Sequence, residues 1–188
     1  MNMDYGDTDL RATAVWRKKT PPLVRMPVAS DGPGVWKLID STPSLDKNSL
    51  YCNLLQCSHF ASTCAIAELD GSIMGWLSGY VPPQRQDTLF VWQICVGQRA
   101  RGQGLAKRLV ADVLARSGSS HIRYLECTIT EGNTASWGLF ESVARAMGAE
   151  ARRSELFSRD VHFDGAHDSE IALTIGPFTQ DRVASLRG

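Results

Sequence analysis

The sequence predicts an α/β (α+β) domain built on a mixed, mostly antiparallel sheet with helices on both faces. Three features carry that expectation. A turn dipeptide, Asp70-Gly71, joins two strand-like runs; an apolar run from Thr88 to Val96 feeds an amphipathic helix; and a further strand and helix follow between His121 and Gly148.

Taken in order, Ser30-Asp31 opens a helix that carries Val35, Leu38 and Ile39 and ends before Pro43. Ser49 to His59 repeats Leu50, Leu54 and Leu55 at helical spacing. Ser62 to Leu69 and Ser72 to Val81 read as a hairpin around Asp70-Gly71, and Pro82-Pro83 stops its second strand. Thr88 to Val96 (TLFVWQICV), almost unbroken in apolar, β-branched and aromatic residues, reads as a strand buried on both faces. Leu105, Leu109, Val110, Val113 and Leu114 then mark one face of a helix whose other face carries Lys107, Arg108 and Asp112. His121 to Thr130 is a strand. Asn133 is placed to cap a helix bearing Ala135, Leu139, Phe140, Val143 and Met147, which Gly148 ends. The region around Phe157 and Ile171 to Ile175 supply the closing strands.

The 188 residues hold 20 Lys and Arg against 20 Asp and Glu, with 43% hydrophobic and 21% charged side chains, the composition of one soluble globular domain. A chain of this size buries about 70% of the surface its unfolded form exposes, so its core needs neither disulfide nor metal. The neutral balance lacks the positive field that nucleic acid or a membrane surface demands, so neither is an expected partner and small molecules are. No apolar run approaches the ~20 residues of a membrane helix and no cleavable signal begins the chain, which makes a cytoplasmic location the default expectation. Cys52, Cys57, Cys64, Cys95 and Cys127 are odd in number and form no C-x-x-C pair, as free thiols in a reducing compartment would be; no metal site is expected. One domain spans residues 21–178, between a flexible N-terminal tail (1–20) and a C-terminal tail (179–188).

The segment Val96-Gly-Gln-Arg-Ala-Arg-Gly-Gln-Gly-Leu-Ala106 joins the buried strand to the amphipathic helix. Gly102 and Gly104 let the backbone approach a ligand, the free N–H groups of the helix start point at it, and Arg99 and Arg101 add full positive charge, so the loop suits an anion. It is no Walker loop, since no Lys-Ser/Thr follows the glycines, and it lacks the three-glycine dinucleotide fingerprint.

The pattern Arg99-x-x-Gly102-x-Gly104 after a hydrophobic strand resembles the signature of the GCN5-related N-acetyltransferases, and the element order over roughly residues 23 to 178 is similar to that fold. The resemblance implies acetyl-CoA as co-substrate, with no tightly bound cofactor or metal. It implies that Arg99, Arg101, Gly102, Gln103, Gly104, Leu105 and Ala106 hold the pyrophosphate. It also implies that the preceding strand splays from its neighbour and meets the pantetheine arm at Ile94 and Val96, and that Asn133 touches that arm.

A denser set of segments narrows this resemblance: Asp46 to Phe60, Phe90-Val-Trp-Gln93, Leu125 to Thr130, Asn133 to Phe140, His162-Phe163, His167 to Glu170 and Ile175 to Phe178. Together they are similar to the diaminobutyrate acetyltransferases of ectoine biosynthesis. That implies acetyl transfer to the 4-amino group of L-2,4-diaminobutyrate, and a homodimer. A substrate with two ammonium groups and a carboxylate calls for acids and donors. Asp46 and Glu170 are candidate ammonium partners, and Tyr51, Trp92, Thr128, Thr130 and His167 offer donors or a cation–π face. Each has a plainer reading: Asp46 as a helix cap, Glu170 as a rim residue, Trp92 and Tyr51 as core, His162 and His167 as surface histidines. Cys95 and Cys127 read as small apolar strand residues.

An amine attacks a thioester only when neutral, and Glu126, directly or through a water, is the expected general base; its plainer reading is a solvated strand residue. Strand amides would stabilise the oxyanion. Many relatives protonate the leaving thiolate with a tyrosine four residues after the asparagine, whereas Trp137 stands there in this chain. Alternative readings are the same fold acting on another small amine and a non-catalytic acyl-CoA-binding sensor.

Overall fold

The computed structural model describes residues 21–43 and 45–187, so the expected N-terminal tail lies outside the described residues. Strand β1 (Leu23–Arg25), absent from the sequence-based reading, leads through a 3-10 turn (Ala29–Asp31) into α1 (Gly32–Asp40), whose first turn accommodates Pro33 because no N–H is needed there. Arg25 ties this entrance together by bonding Asp31 at 2.8 and 3.0 Å and Glu68 at 2.7 Å. Helix α2 (Leu50–Gln56) is capped by Ser49, whose hydroxyl accepts from the Cys52 N–H at 3.1 Å. Leu50 is exposed, and the face that α2 buries carries Asn53 and Gln56, a polar choice that the leucine spacing does not reveal.

Strands β2 (Ala65–Leu69) and β3 (Ser72–Tyr80) form the expected hairpin. Asp70 and Gly71 both take positive φ, 51° and 73°, as a type I′ turn requires. Ser62 and Thr63 fall in a 3-10 turn before β2. Strand β4 (Thr88–Val96), helix α3 (Leu105–Leu114) and strand β5 (Tyr124–Thr130) follow. Only the β4–β5 pair is parallel, and α3 supplies the crossover that such a pair needs. Helix α4 (Thr134–Met147) starts on the Asn133 cap and stops at Gly148 in the left-handed region. Strand β6 (Ala151–Phe157), a short α5 (Arg159–His162) and strand β7 (Glu170–Ile175) complete a seven-stranded sheet of order β1-β2-β3-β4-β5-β7-β6.

Helices cover both faces as expected. On one, α3 and α4 bury Leu109, Val113, Phe140 and Val143 against Leu77, Leu125, Ile129 and Leu173; on the other, Val35 and Ile39 of α1 pack on Ile66, Trp76 and Cys95. The expected C-terminal tail is instead a docked 3-10 segment, Gln180–Arg187, because Val183 and Leu186 bury their side chains in the α3/α4 core.

Strand β4 is not buried on both faces as expected: Trp92 is 53% exposed. Trp92 falls between the pairs Ser78–Gln93 and Gly79–Val91, an extra residue that bulges the strand. The bulge reverses the facing of the rest of the strand, so that Cys95 joins the α1 side while Ile94 and Val96 pack on the α3 side. Pairing with β5 ends at Val91–Cys127. Beyond that point the two strands part.

Candidate active site

The parting of β4 and β5 opens a cavity of about 570 Å³. Six sequence-predicted residues meet in its lining besides Ile94 and Asn133: the acids Asp46 and Glu170, His167, Trp92, and Thr128 and Thr130 on successive same-face positions of β5. Glu170 opens β7 directly across from Thr130. The plain readings of Asp46 and Trp92 fall away, since Ser49 caps α2 and Trp92 is exposed.

Residues the sequence reading did not single out hold the Asp46 loop to β4. Gln93 donates through Nε2 to the Asp46 carbonyl at 3.1 Å, and Asn48 donates to Gln93 Oε1 at 3.1 Å. Phe157 and Phe163 also line the cavity, and Phe163 stacks against His167 with 4.8 Å between ring centres. The signal for Gln93 and Asn48 is their place in the segments Phe90 to Gln93 and Asp46 to Phe60; that the two pair is not marked locally. His167 Nδ1 lies 2.7 Å from the Asp168 carbonyl oxygen, so a proton on Nδ1 completes that bond and leaves Nε2 with a free lone pair. His162, by contrast, accepts from the Ser158 N–H and serves the start of α5.

Tyr51 and Glu126 are not brought into the cavity. Tyr51 projects from α2 and is 70% exposed, which also removes its reading as core. Glu126 stands opposite Phe90 in the paired part of β4 and β5, below the point where they separate, and is only 5% exposed. Arg85 grips both of its carboxylate oxygens, at 2.5 and 2.7 Å, and Thr174 donates at 2.9 Å. The Arg85 guanidinium holds the Glu126 carboxyl below the usual carboxylate range. A carboxylate so committed is a weaker base than an ordinary one, so this geometry does not favour Glu126 for the general-base role expected of it.

Past Ile94, β4 runs into the glycine loop. Gly102 and Gly104 take φ of 73° and 71°, with open space where a side chain would stand. Gly104 is the N-cap of α3 and provides no capping side chain, so the first-turn amides around Leu105 and Ala106 remain available to an anion. Arg99 and Arg101 are exposed at this end, and Arg101 also donates to the Val96 carbonyl at 3.0 Å. Gln103 braces the loop by donating to the Arg99 carbonyl, and the Leu105 side chain belongs to the core, which leaves only its amide for a ligand. Asn133 accepts from the Ser136 N–H at 3.1 Å as the α4 cap. Trp137 is not part of the cavity lining: its indole N–H donates to the Thr130 carbonyl and Arg153 lies 4.0 Å over its ring.

Burial raises the thiols: Cys57 is pushed up to about 12 and Cys64 to about 11, and Cys127, which lies along the cavity, is raised by burial too. None is a ready thiolate nucleophile. Among the described residues no group of three or more His, Cys, Asp and Glu side chains is placed to hold a metal ion.

Residues 35–144 match the acetyltransferase (GNAT) family. The chain belongs to that family. It is 44% identical over 163 residues to the L-2,4-diaminobutyric acid acetyltransferase of Methylotuvimicrobium alcaliphilum, covering 86% of this chain and 95% of that one. It is 41% identical to the enzyme of the same name from Halomonas elongata, over 96% of this chain and 94% of that one. A solved structure, the diaminobutyrate acetyltransferase of Paenibacillus lautus in complex with L-2,4-diaminobutyric acid and coenzyme A, superposes with a TM-score of 0.79 at 37% identity, covering 83% of this chain and 95% of that chain. In a GNAT acetyltransferase the parted strands and the glycine loop have a common purpose, since acetyl-CoA is the co-substrate of the family.

Proposed function

We propose that the protein transfers the acetyl group of acetyl-CoA to the 4-amino group of L-2,4-diaminobutyrate, giving N4-acetyl-L-2,4-diaminobutyrate and CoA, the acetylation step of ectoine biosynthesis. The observation that carries this reading is the cavity between β4 and β5, with Asp46 and Glu170 in its lining and the anion loop at the end of the same strand. A diamine brings two positive charges, and two carboxylates answer them; acetyl-CoA brings phosphates, which suit the open amides and the arginines of the loop.

In the proposed reaction the 4-ammonium gives up a proton to become the neutral amine, its nitrogen bonds to the acetyl carbonyl carbon, the C–S bond breaks with the electron pair leaving on the CoA sulfur, and the second proton of the nitrogen passes to solvent, from which the thiolate is protonated. His167 Nε2 receives the first proton, Asp46 and Glu170 hold the cationic groups, and the Trp92 ring offers a cation–π face. Amides of β4 beyond Val91 that face away from β3 have lost β5 as acceptor and are free to stabilise the oxyanion. With the Trp137 N–H committed to the Thr130 carbonyl, thiolate departure is assigned no side-chain acid; a CoA thiolate is stable enough to leave without one.

Incubation with acetyl-CoA and L-2,4-diaminobutyrate, followed by NMR of the product, tests the reading. Acetylation at N4 is expected; acetylation at N2, or no CoA release with this amine, overturns it. The reading extends to a cytoplasmic homodimer. No described helix is long and apolar enough to cross a membrane. The edge strand β6 leaves all seven of its residues exposed, an open edge on which a second copy can pair.

A further inference from the structure

Strand β4 places two consecutive side chains on one face, which an unbroken strand cannot do. Val91 and Ile94 both pack on the α3 side of the sheet and Cys95 on the α1 side, so Trp92 and Gln93, lying between them, share the α1 side; the bulge after Val91 supplies the extra residue. Both line the cavity, Trp92 exposed and Gln93 half-buried. The connection between α1 and α2, which carries Asp46, is tied to β4 at alternate positions of that same face. Thr42 Oγ1 lies 3.2 Å from Cys95 Sγ, and Gln93 bonds both the Asp46 carbonyl and Asn48.

The two bonds of Gln93 work in sequence. Asn48 Nδ2 donates to Gln93 Oε1, which turns the carboxamide so that its NH2 group meets the Asp46 carbonyl, and the bond made there is to main chain. It therefore fixes where residue 46 stands while leaving the carboxylate to the cavity, on a stretch that is otherwise exposed. A charged group on such a connection samples many positions unless its backbone is held, and ordering it only when the ligand arrives weakens binding. Glu170 needs no such tie, because β7 pairs it with Thr130. We propose that Gln93 is a positioning residue for the acceptor: by holding the Asp46 carbonyl it fixes the span between the Asp46 carboxylate and Glu170. A fixed span favours one separation of charges over another, so Gln93 helps to select an acceptor of the length of diaminobutyrate over one a methylene longer. The inference rests on the diaminobutyrate reading and goes beyond it by making chain-length selection depend on a residue that acts through Asp46.

The test measures KM and kcat for L-2,4-diaminobutyrate and for L-ornithine, one methylene longer, in the full chain, in Gln93→Leu, in Asp46→Ala and in the double variant. Gln93→Leu removes both hydrogen bonds and is expected to raise the KM for diaminobutyrate by about fivefold to tenfold, to leave the KM for acetyl-CoA unchanged, and to lower the preference for diaminobutyrate over ornithine. In the Asp46→Ala background the same change should add less than about twofold, because no carboxylate is left to place. A residue that merely supports the fold would cost both amines alike and in both backgrounds. Where turnover is too slow to give a KM, the dissociation constant of the amine from calorimetry takes its place. Asn48→Ala frees the Gln93 carboxamide without removing it; a smaller rise of the same kind is expected, and it decides the matter if Gln93→Leu fails to fold. An unchanged KM for diaminobutyrate, equal losses on both amines, or effects of Gln93→Leu and Asp46→Ala that multiply would overturn the proposal. Failure of the wild-type chain to acetylate diaminobutyrate is a different result, and sinks the functional reading itself.

Discussion

Glu126 and His167 show how burial and pairing assign chemistry among residues that look equally eligible in a sequence. Both lie in motif segments, but Arg85 and Thr174 occupy the Glu126 carboxylate, while His167 reaches the cavity with one ring nitrogen spoken for. Replacing His167 with Gln should lower kcat/KM by about 10²–10⁴; Glu126→Gln should cost far less activity, and steady-state kinetics on both variants would separate them. Glu126 should show in stability instead. Its folded-state pKa is depressed, so its contribution is fully present above the unfolded carboxylate value near ~4.3 and is lost as pH falls through the folded value. Glu126→Gln should therefore destabilise by about 1–2 kcal/mol at pH 7 and by less at pH 3.5, as read from urea midpoints. An equal shift at both values of pH would refute the ion pair as the source.

At the scale of elements, the loop before α3 depends on backbone conformation more than on side chains. Gly104 has φ of 71° and open space before it, so Gly104→Ala meets no clash inside the protein and is penalised by the left-handed conformation alone, about 1 kcal/mol. The expected result is a raised KM for acetyl-CoA with the KM for diaminobutyrate unchanged, because the acceptor is held by other elements. The loop, the hairpin and the cap of α4 were legible in the sequence because each is a local rule: Asp70-Gly71 asks for positive φ, Gly102 and Gly104 for the same, and Asn133 for a free N–H three residues on. The bulge at Trp92 was not legible. It is a mismatch of register between β3 and β4, so no reading of β4 alone can find it.

Across the whole molecule, the sheet ends in an edge that is chemically divided: Arg152 and Arg153 near its start, Leu156 and Phe157 at its finish, all exposed, with Val161 exposed just beyond. Phe157 also lines the cavity, which puts any pairing at this edge next to the site. Sedimentation equilibrium of the wild-type chain should give a dimer, and Leu156→Lys should shift it toward monomer at the same concentration. A wild-type monomer at micromolar concentration would refute the dimer, and a dimer indifferent to Leu156→Lys would move the interface elsewhere.

By itself the sequence determined the order of the main strands and helices from α1 to α4, the Asp70-Gly71 turn and the Asn133 cap, the anion loop and the residue types a diamine needs, because those follow from periodicity, φ preferences and charge, which act over a few positions; β1 and the docked C-terminal segment were not among them. Only the tertiary structure decided which of those residues share a cavity. Asp46, Trp92, Thr128, His167 and Glu170 are brought together by the parting of two strands, Tyr51 is turned to solvent, and Glu126 is claimed by Arg85, 41 residues away in the chain. The physical reason is that pairing and burial are settled by neighbours across the sheet, and those neighbours are distant in sequence.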